Sequence, residues 1–213
     1  MRMFPKTFRM LLVATCIGFT LPAPVSPTSL FYSVKEYGAA GDGVTLDTKA
    51  IQNAIDKAHK NGGGTVFFPA GVYLSGTIIL QDHISLYLDN GAVLLGSTSL
   101  DDYPVIICDY RSYTDNYTEI SLIYAEKVKN ISILGRGTLD GQGAAFKERR
   151  TRENPYKRRP YMIRMIECQD ITIRDVTIIN SPMWVQHYLA CDDVLIDGIT
   201  VHSFVAANND GID

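Results

Sequence analysis

Seven cations crowd the stretch between Ala144 and Pro160, and they are the first residues whose types and spacing suggest chemistry. Lys147, Arg149, Arg150, Arg152, Lys157, Arg158 and Arg159 stand against only Glu148 and Glu153, a local charge of +5 in a 213-residue chain whose net charge is −3. Such a segment suits the approach of an anionic ligand, a polyuronate for example, or else a solvated loop. Trp184, the sole tryptophan, offers either a ring face on which a sugar could stack or a large side chain for a core. His187 suits a surface or a cleft wall, while His59, His83 and His202 have no partner at a useful spacing. The adjacent carboxylates Asp192 and Asp193 read as turn chemistry. Beyond Cys16 the cysteines are Cys108, Cys168 and Cys191; an odd number is no disulfide framework, and no CxxC or HxxxH spacing supports a structural zinc. With 20 basic and 23 acidic residues the chain has no overall basic footprint for nucleic acid.

The elements that would position these groups are short. Residues 1–25, with Arg2, Lys6 and Arg9 ahead of an apolar Met10–Leu21 run and prolines after it, have the pattern of a signal peptide. That run is too short to cross a bilayer, so stable membrane insertion is not expected. Asp47 or Thr48 can cap a helix over residues 48–59 whose apolar face is Ala50, Ile51, Ala54, Ile55 and Ala58, with Asn61-Gly62 ending it. After it the period changes to short strand-like runs at 65–68, 72–74, 77–80, 84–88 and 92–95. Helices do not alternate with them, which disfavours Rossmann and barrel folds.

Three later segments superimpose: Val128-Lys129-Asn130-Ile131-Ser132-Ile133, Cys168-Gln169-Asp170-Ile171-Thr172-Ile173 and Cys191-Asp192-Asp193-Val194-Leu195-Ile196. Gln81-Asp82-His83-Ile84-Ser85-Leu86 is a fainter copy. The last two full copies are 23 residues apart, a period that points to a β-solenoid, with a β-sandwich as the competitor. Cys168 and Cys191 would then stack about 4.8 Å apart as inward thiols. The first two copies are 40 residues apart, so the basic segment is a loop thrown out from one coil, and the helix caps the solenoid's open end. Asn116-Tyr117-Thr118 and Asn130-Ile131-Ser132 match the glycosylation pattern, the second inside an expected strand.

Several motifs together carry a likeness. Val34 to Gly43 with Asp47-Thr48, then Arg159-Pro160-Tyr161-Met162-Ile163, Cys168, Asn180-Ser181-Pro182-Met183-Trp184, His187, Cys191 and Asn208-Asn209-Asp210-Gly211-Ile212-Asp213 run in the order and spacing of glycoside hydrolase family 28, the polygalacturonases. The sequence resembles that family over nearly all of residues 30–213. The resemblance implies an all-β, right-handed parallel β-helix with an N-terminal capping α-helix. It implies hydrolysis of α-1,4 links between galacturonic acid units of pectin, with inversion and with neither metal nor other cofactor. Of the family's three catalytic aspartates, the first maps to Asp210; Asn209 stands where the family usually has Thr. Asn208, His187, Arg158 and Arg159 map to the substrate side of the site.

The family's later acidic pair, Gly-His-Gly and Arg-x-Lys would fall after residue 213, so the expectation is an N-terminal piece of such a domain, truncated at its C-terminal end and inactive on pectin alone. Asp213, three residues beyond Asp210, is expected to face the other way and to be structural. The partner implied is a pectic polysaccharide, met by a monomer when full length, in a secreted or periplasmic setting. The alternatives are a non-catalytic carbohydrate-binding solenoid and a calcium-dependent pectate lyase, whose cluster of carboxylates is not apparent in the sequence.

Overall fold

A computed structural model describes residues 31–112, 117–149 and 159–213, with only the backbone described at 147–149. The expected leader at residues 1–25 and Asn116 lie outside the described residues. The chain winds in coils. The first turn holds β1 (Phe31–Ser33), β2 (Asp42–Leu46) and α1 (Thr48–Lys60). Four full coils follow, each of three strands: β3 (Gly64–Phe68), β4 (Gly71–Ser75) and β5 (Ile78–Ile79); β6 (Ile84–Leu88), β7 (Ala92–Gly96) and β8 (Ser121–Glu126); β9 (Lys129–Gly135), β10 (Thr138–Asp140) and β11 (Tyr161–Ile166); β12 (Gln169–Arg174), β13 (Thr177–Ile179) and β14 (Gln186–Leu189). A further coil begins with β15 (Asp192–Asp197) and β16 (Thr200–His202).

Equivalent strands stack into three sheets, in the orders β1-β3-β6-β9-β12-β15, β2-β4-β7-β10-β13-β16 and β5-β8-β11-β14. Every pairing is parallel, which removes the β-sandwich and leaves a parallel β-helix.

The repeat seen in the sequence is the register of the first sheet. Ile131 pairs with Ile171 and Ile171 with Val194, while Val66, Leu86, Ile133, Ile173 and Ile196 form one continuous row. Inside the coil these rows bury Leu86, Ile133 and Ile173 completely. The polar second position of the frame has a conformational cause. His83, Asn130, Asp170 and Asp193 all sit at positive φ, between 53° and 62°, where Asn and Asp are tolerated better than other side chains. Asp193 is therefore a corner residue, as its place in the frame implied. Cys168 and Cys191 do occupy neighbouring coils: Asp192 N–H donates to Cys168 O at 2.9 Å, and both thiols are free. Their proximity favours ionisation of the Cys168 thiol, while that proximity and burial push the Cys191 thiol up.

α1 covers the open end as expected, burying Ile51, Ala54, Ile55 and Ala58. Asp47 stands at its N-cap position but does not cap it; the carboxylate turns back to accept the N–H groups of Ala40 at 2.6 Å and Gly41 at 2.9 Å. Gln52 pairs both ways with the backbone of Ile79, so a side-chain amide occupies the edge of β5.

The corners differ in what they tolerate. Those from the first sheet to the second hold eight residues after β1 and two or three in every later coil, and those from the third to the first hold two to four. The corner from the second sheet to the third holds residues 97–120 after β7, 141–160 after β10 and 180–185 after β13. The expected basic loop falls at this corner, between β10 and β11.

Candidate active site

The outer face of the third sheet is where these excursions and the sequence motifs meet. Alternation in β11 sends Ile163 and Met165 inward to the core and leaves Arg164 outward. Register then lines up Ile79, Tyr124, Arg164 and His187 in successive coils. The strand-like end of the chain continues this row. Asp213 N–H donates to Gln186 O and Tyr188 N–H donates to Asp213 O, both at 2.9 Å, which is the parallel pattern that sets Asp213 opposite His187. Val185 N–H donates to Asp210 O at 2.9 Å, which sets Asp210 beside Trp184. Gln186 Nε2 also donates to Gly211 O at 3.1 Å. The row positions of Asp210 and Asp213 match those of Trp184 and His187, whose rings meet at 5.3 Å. The straight-strand expectation for Asp213 thus fails at the Gly211 bend: the backbone assigns it to the row of His187.

Around these positions is an aromatic floor. Tyr161 stacks on His187 with centroids 5.1 Å apart and planes at 28°, and lies 5.7 Å from Trp184. Tyr117 meets Trp184 edge-on at 5.2 Å. Trp184 therefore belongs to the outer face and not to the core; it is half-buried, with part of its ring open. Arg164 completes the cluster with its guanidinium 5.2 Å from the Tyr161 ring centre. Arg164 was not singled out from the sequence, and Tyr161 and Tyr117 entered only as members of motifs, with no role of their own in the site. The available signal was a lone arginine between apolar residues in a strand, since a charge there must face outward or be neutralised.

Asp210 and Asn208 are exposed, and Asn208 takes a left-handed backbone at φ 56°. Asn209, where the resemblance expects Thr, donates from its amide to Ser203 O at 2.5 Å and Ser203 Oγ at 3.0 Å, tying its loop to β16. Arg159 is only 1% exposed. One of its terminal nitrogens donates to Pro182 O at 3.0 Å and to Ala207 O, and the other to Asn208 Oδ1 at 3.3 Å. Rather than reaching solvent, it fastens the loop after β13 to the loop that carries Asn208. His187, 2% exposed, lies beneath its aromatic neighbours. Arg158 lies outside the described residues, as do Arg150, Arg152 and Lys157. Among the described residues, no group of three or more His, Cys, Asp or Glu side chains could hold a metal ion. The arrangement offers an exposed carboxylate on the same face as a cluster of aromatic rings. A carboxylate so placed can orient water or take its proton, and ring faces can carry sugar units.

Comparison with known proteins accords with this geometry. The model of the glycosyl hydrolases family 28 matches residues 63–213. A probable polygalacturonase of Vitis vinifera is 37% identical over 191 residues, covering 84% of this chain and 38% of the other. The family 28 exopolygalacturonase of Yersinia enterocolitica superposes with a TM-score of 0.74 at 28% identity, over 85% of this chain and 40% of that one. The plasmin and fibronectin-binding protein A of Streptococcus pneumoniae is 36% identical over 152 residues, 70% of this chain and 21% of its own length. The chain thus spans less than half the length of the Vitis vinifera and Streptococcus pneumoniae relatives.

Proposed function

Because this chain belongs to family 28 of the glycosyl hydrolases, we propose that it carries part of the site of a polygalacturonase, an inverting hydrolase of α-1,4-galacturonosyl links in pectic polysaccharide. The observation that carries the reading is the placement of Asp210, exposed beside Trp184 on the outer face of the third sheet. Inversion requires one carboxylate to activate water and a protonated carboxyl on the opposite side of the scissile bond, about 6.5–9.5 Å away. Asp210 fits the water-activating role, Asn208 lies two residues away for a sugar hydroxyl, and His187 supports the ring floor. Arg159 positions Asn208 and Asp210 rather than touching substrate. Export from the cell, which brings such an enzyme to its polymer, belongs to the same reading.

The test is release of reducing ends from polygalacturonate by the full-length gene product, compared with Asp210→Asn. Activity lost in the variant, with unfolding unchanged, supports the reading; equal activity in both refutes the role of Asp210. A second reading has one observation in its favour: PfbA, a surface adhesin of Streptococcus pneumoniae, superposes on this chain with a TM-score of 0.56 at 29% identity, so this scaffold also serves binding. Tight binding of oligogalacturonides without turnover by the full-length protein would select it.

A further inference from the structure

We propose that the outer face of the first sheet carries a second, non-catalytic glycan site, a cleft beside Tyr87 that holds a uronate unit through Arg136 and Arg174. It goes beyond the hydrolase reading, because it lies on a different sheet from the row of Trp184 and Asp210.

Register builds this face. Val66, Leu86, Ile133 and Ile173 share one row, and the buried Leu86, Ile133 and Ile173 turn inward, so the rows on either side turn outward. One outward row is Phe67, Tyr87, Leu134 and Arg174, and the other is Thr65, Ser85, Ser132 and Thr172, a hydroxyl on each of four successive coils. Tyr87 stacks on Phe67 with centroids 6.0 Å apart and planes at 28°, and Phe67 meets Phe31 edge-on at 6.4 Å. Phe31 is nevertheless 61% exposed and Tyr87 36%. Adjoining rings left open on one face form a patch, not the scattered exposure of an ordinary surface.

The ring row runs into a cleft of about 300 Å³ whose lining includes Tyr87, Asn90, Leu134, Arg136, Arg174 and Asp175. Its charges decide the ligand. Arg136 is exposed and forms no salt bridge among the described residues. Arg174 faces Asp197 at 3.4 Å, but the two side chains are 46% and 63% exposed, so the pair is weak and an arriving carboxylate can share the guanidinium. Asp175 leans over Gly198 of the next coil, away from Arg136, since a Cβ on Gly198 would lie 2.7 Å from its Oδ1. Two guanidiniums thus open on a ring-walled cleft in a chain of net charge −3.

A guanidinium takes a carboxylate through two parallel N–H groups, and a ring face carries the apolar side of a pyranose. A uronate uses both features, whereas a neutral sugar would leave the guanidiniums idle. Tyr87, Leu134 and Arg174 stand in register on three coils, so the row extends over about 10 Å, a length for about two sugar units. On the hydrolase reading, polymer held here raises the local concentration of chain near Asp210 without taking part in cleavage.

The experiment is titration calorimetry with trigalacturonate on the full-length gene product carrying Asp210→Asn, which silences cleavage. Two classes of site are expected. Adding Arg136→Met or Tyr87→Ala should weaken one class several-fold and leave the other as it was, and uncharged trigalactose should not fill the weakened class. With Asp210 intact, either variant should keep kcat on trigalacturonate yet migrate faster through a gel containing polygalacturonate. Arg136 is exposed, so Arg136→Met decides even where Tyr87→Ala disturbs folding. An isotherm unchanged by Arg136→Met, or equal binding of trigalactose, overturns the site. Binding at this cleft by a protein that cuts nothing keeps the site and removes the hydrolase reading, while cutting with unchanged binding in both variants does the reverse.

Discussion

Replacing Arg159 separates two roles that charge alone cannot distinguish. If its guanidinium fastens the Pro182 loop to the Ala207-Asn208 loop, then planar geometry matters more than the positive charge. Arg159→Met strands the buried Pro182 carbonyl and removes the hydrogen bonds that a charged donor makes to Ala207 O and Asn208 Oδ1, a loss of about 3–5 kcal/mol. Native stability is roughly 5–15 kcal/mol, so this is a large share of it. For a chain of this size each kcal/mol moves the melting point by about 2–4 °C, which gives a fall of roughly 6–20 °C if the solenoid unfolds as one unit. In a stack whose coils contact only neighbours, the damage concentrates where the contact was.

Amide hydrogen exchange at Val185 and Asp213 should therefore accelerate more than that at Ile133, deep in the first sheet. Arg159→Lys keeps the charge, but one ammonium cannot span both carbonyls and the Asn208 amide oxygen, so it should lose most of the same stability. A Lys variant that melts within about 1 °C of wild type and exchanges normally at Val185 would refute the clamp and return Arg159 to the substrate side.

Two further predictions use other parts of the coil. Gly135 has φ 106°, and a Cβ there would lie 2.1 Å from Leu88 O in the neighbouring strand, whereas one on Gly91, at φ 79°, would meet only the Ala70 methyl at 3.5 Å. Gly135→Ala should cost about 3 kcal/mol and Gly91→Ala about 1 kcal/mol in urea unfolding, and equal losses would show that backbone strain rather than the Leu88 contact dominates. Burial raises the phenols of Tyr73, to about 12, and of Tyr103, Tyr124 and Tyr188, so folding favours their neutral forms. Stability should hold up to about pH 10, the ordinary phenol value, and fall as the pH climbs through the raised values; a urea midpoint that stays level above pH 10 would contradict this.

The repeat was legible because its cause is local. Asn130, Asp170 and Asp193 mark a corner that needs positive φ, and the alternating apolar residues after each mark the inward face. Both signals occupy a few consecutive residues. The same holds for α1, whose four buried residues fall on one stripe. Arg159 was not legible in this way: it looked like one more cation in a basic run, and only the fold reveals the carbonyls that enclose it. Asp213 misled for a related reason, since spacing along an ideal strand says nothing about the bend at Gly211. Cys108, Tyr117 and Arg164 could not be grouped from the sequence because an excursion and a strand far apart in the chain bring them together.

Where the chain can be lengthened explains why the site lies on the third sheet. An extra residue within a strand would shift its register by one and turn each later side chain to the wrong face. After the first turn, the corners between first and second sheets hold two or three residues and have little room to absorb it. The corner leading into the third sheet already carries 24 residues after β7, 20 after β10 and 6 after β13 with the ladders intact. Sequence change there can reshape what stands over the third sheet at little cost to the stack beneath. The rigid rows supply fixed positions, such as those of Trp184, His187 and Asp210, and the variable corner supplies Tyr117, Cys108 and Arg159 to cover or brace them. A floor set by register and a cover set by loop length are then separable. Altering the rows should abolish the site altogether, while altering the corner should spare the stack beneath.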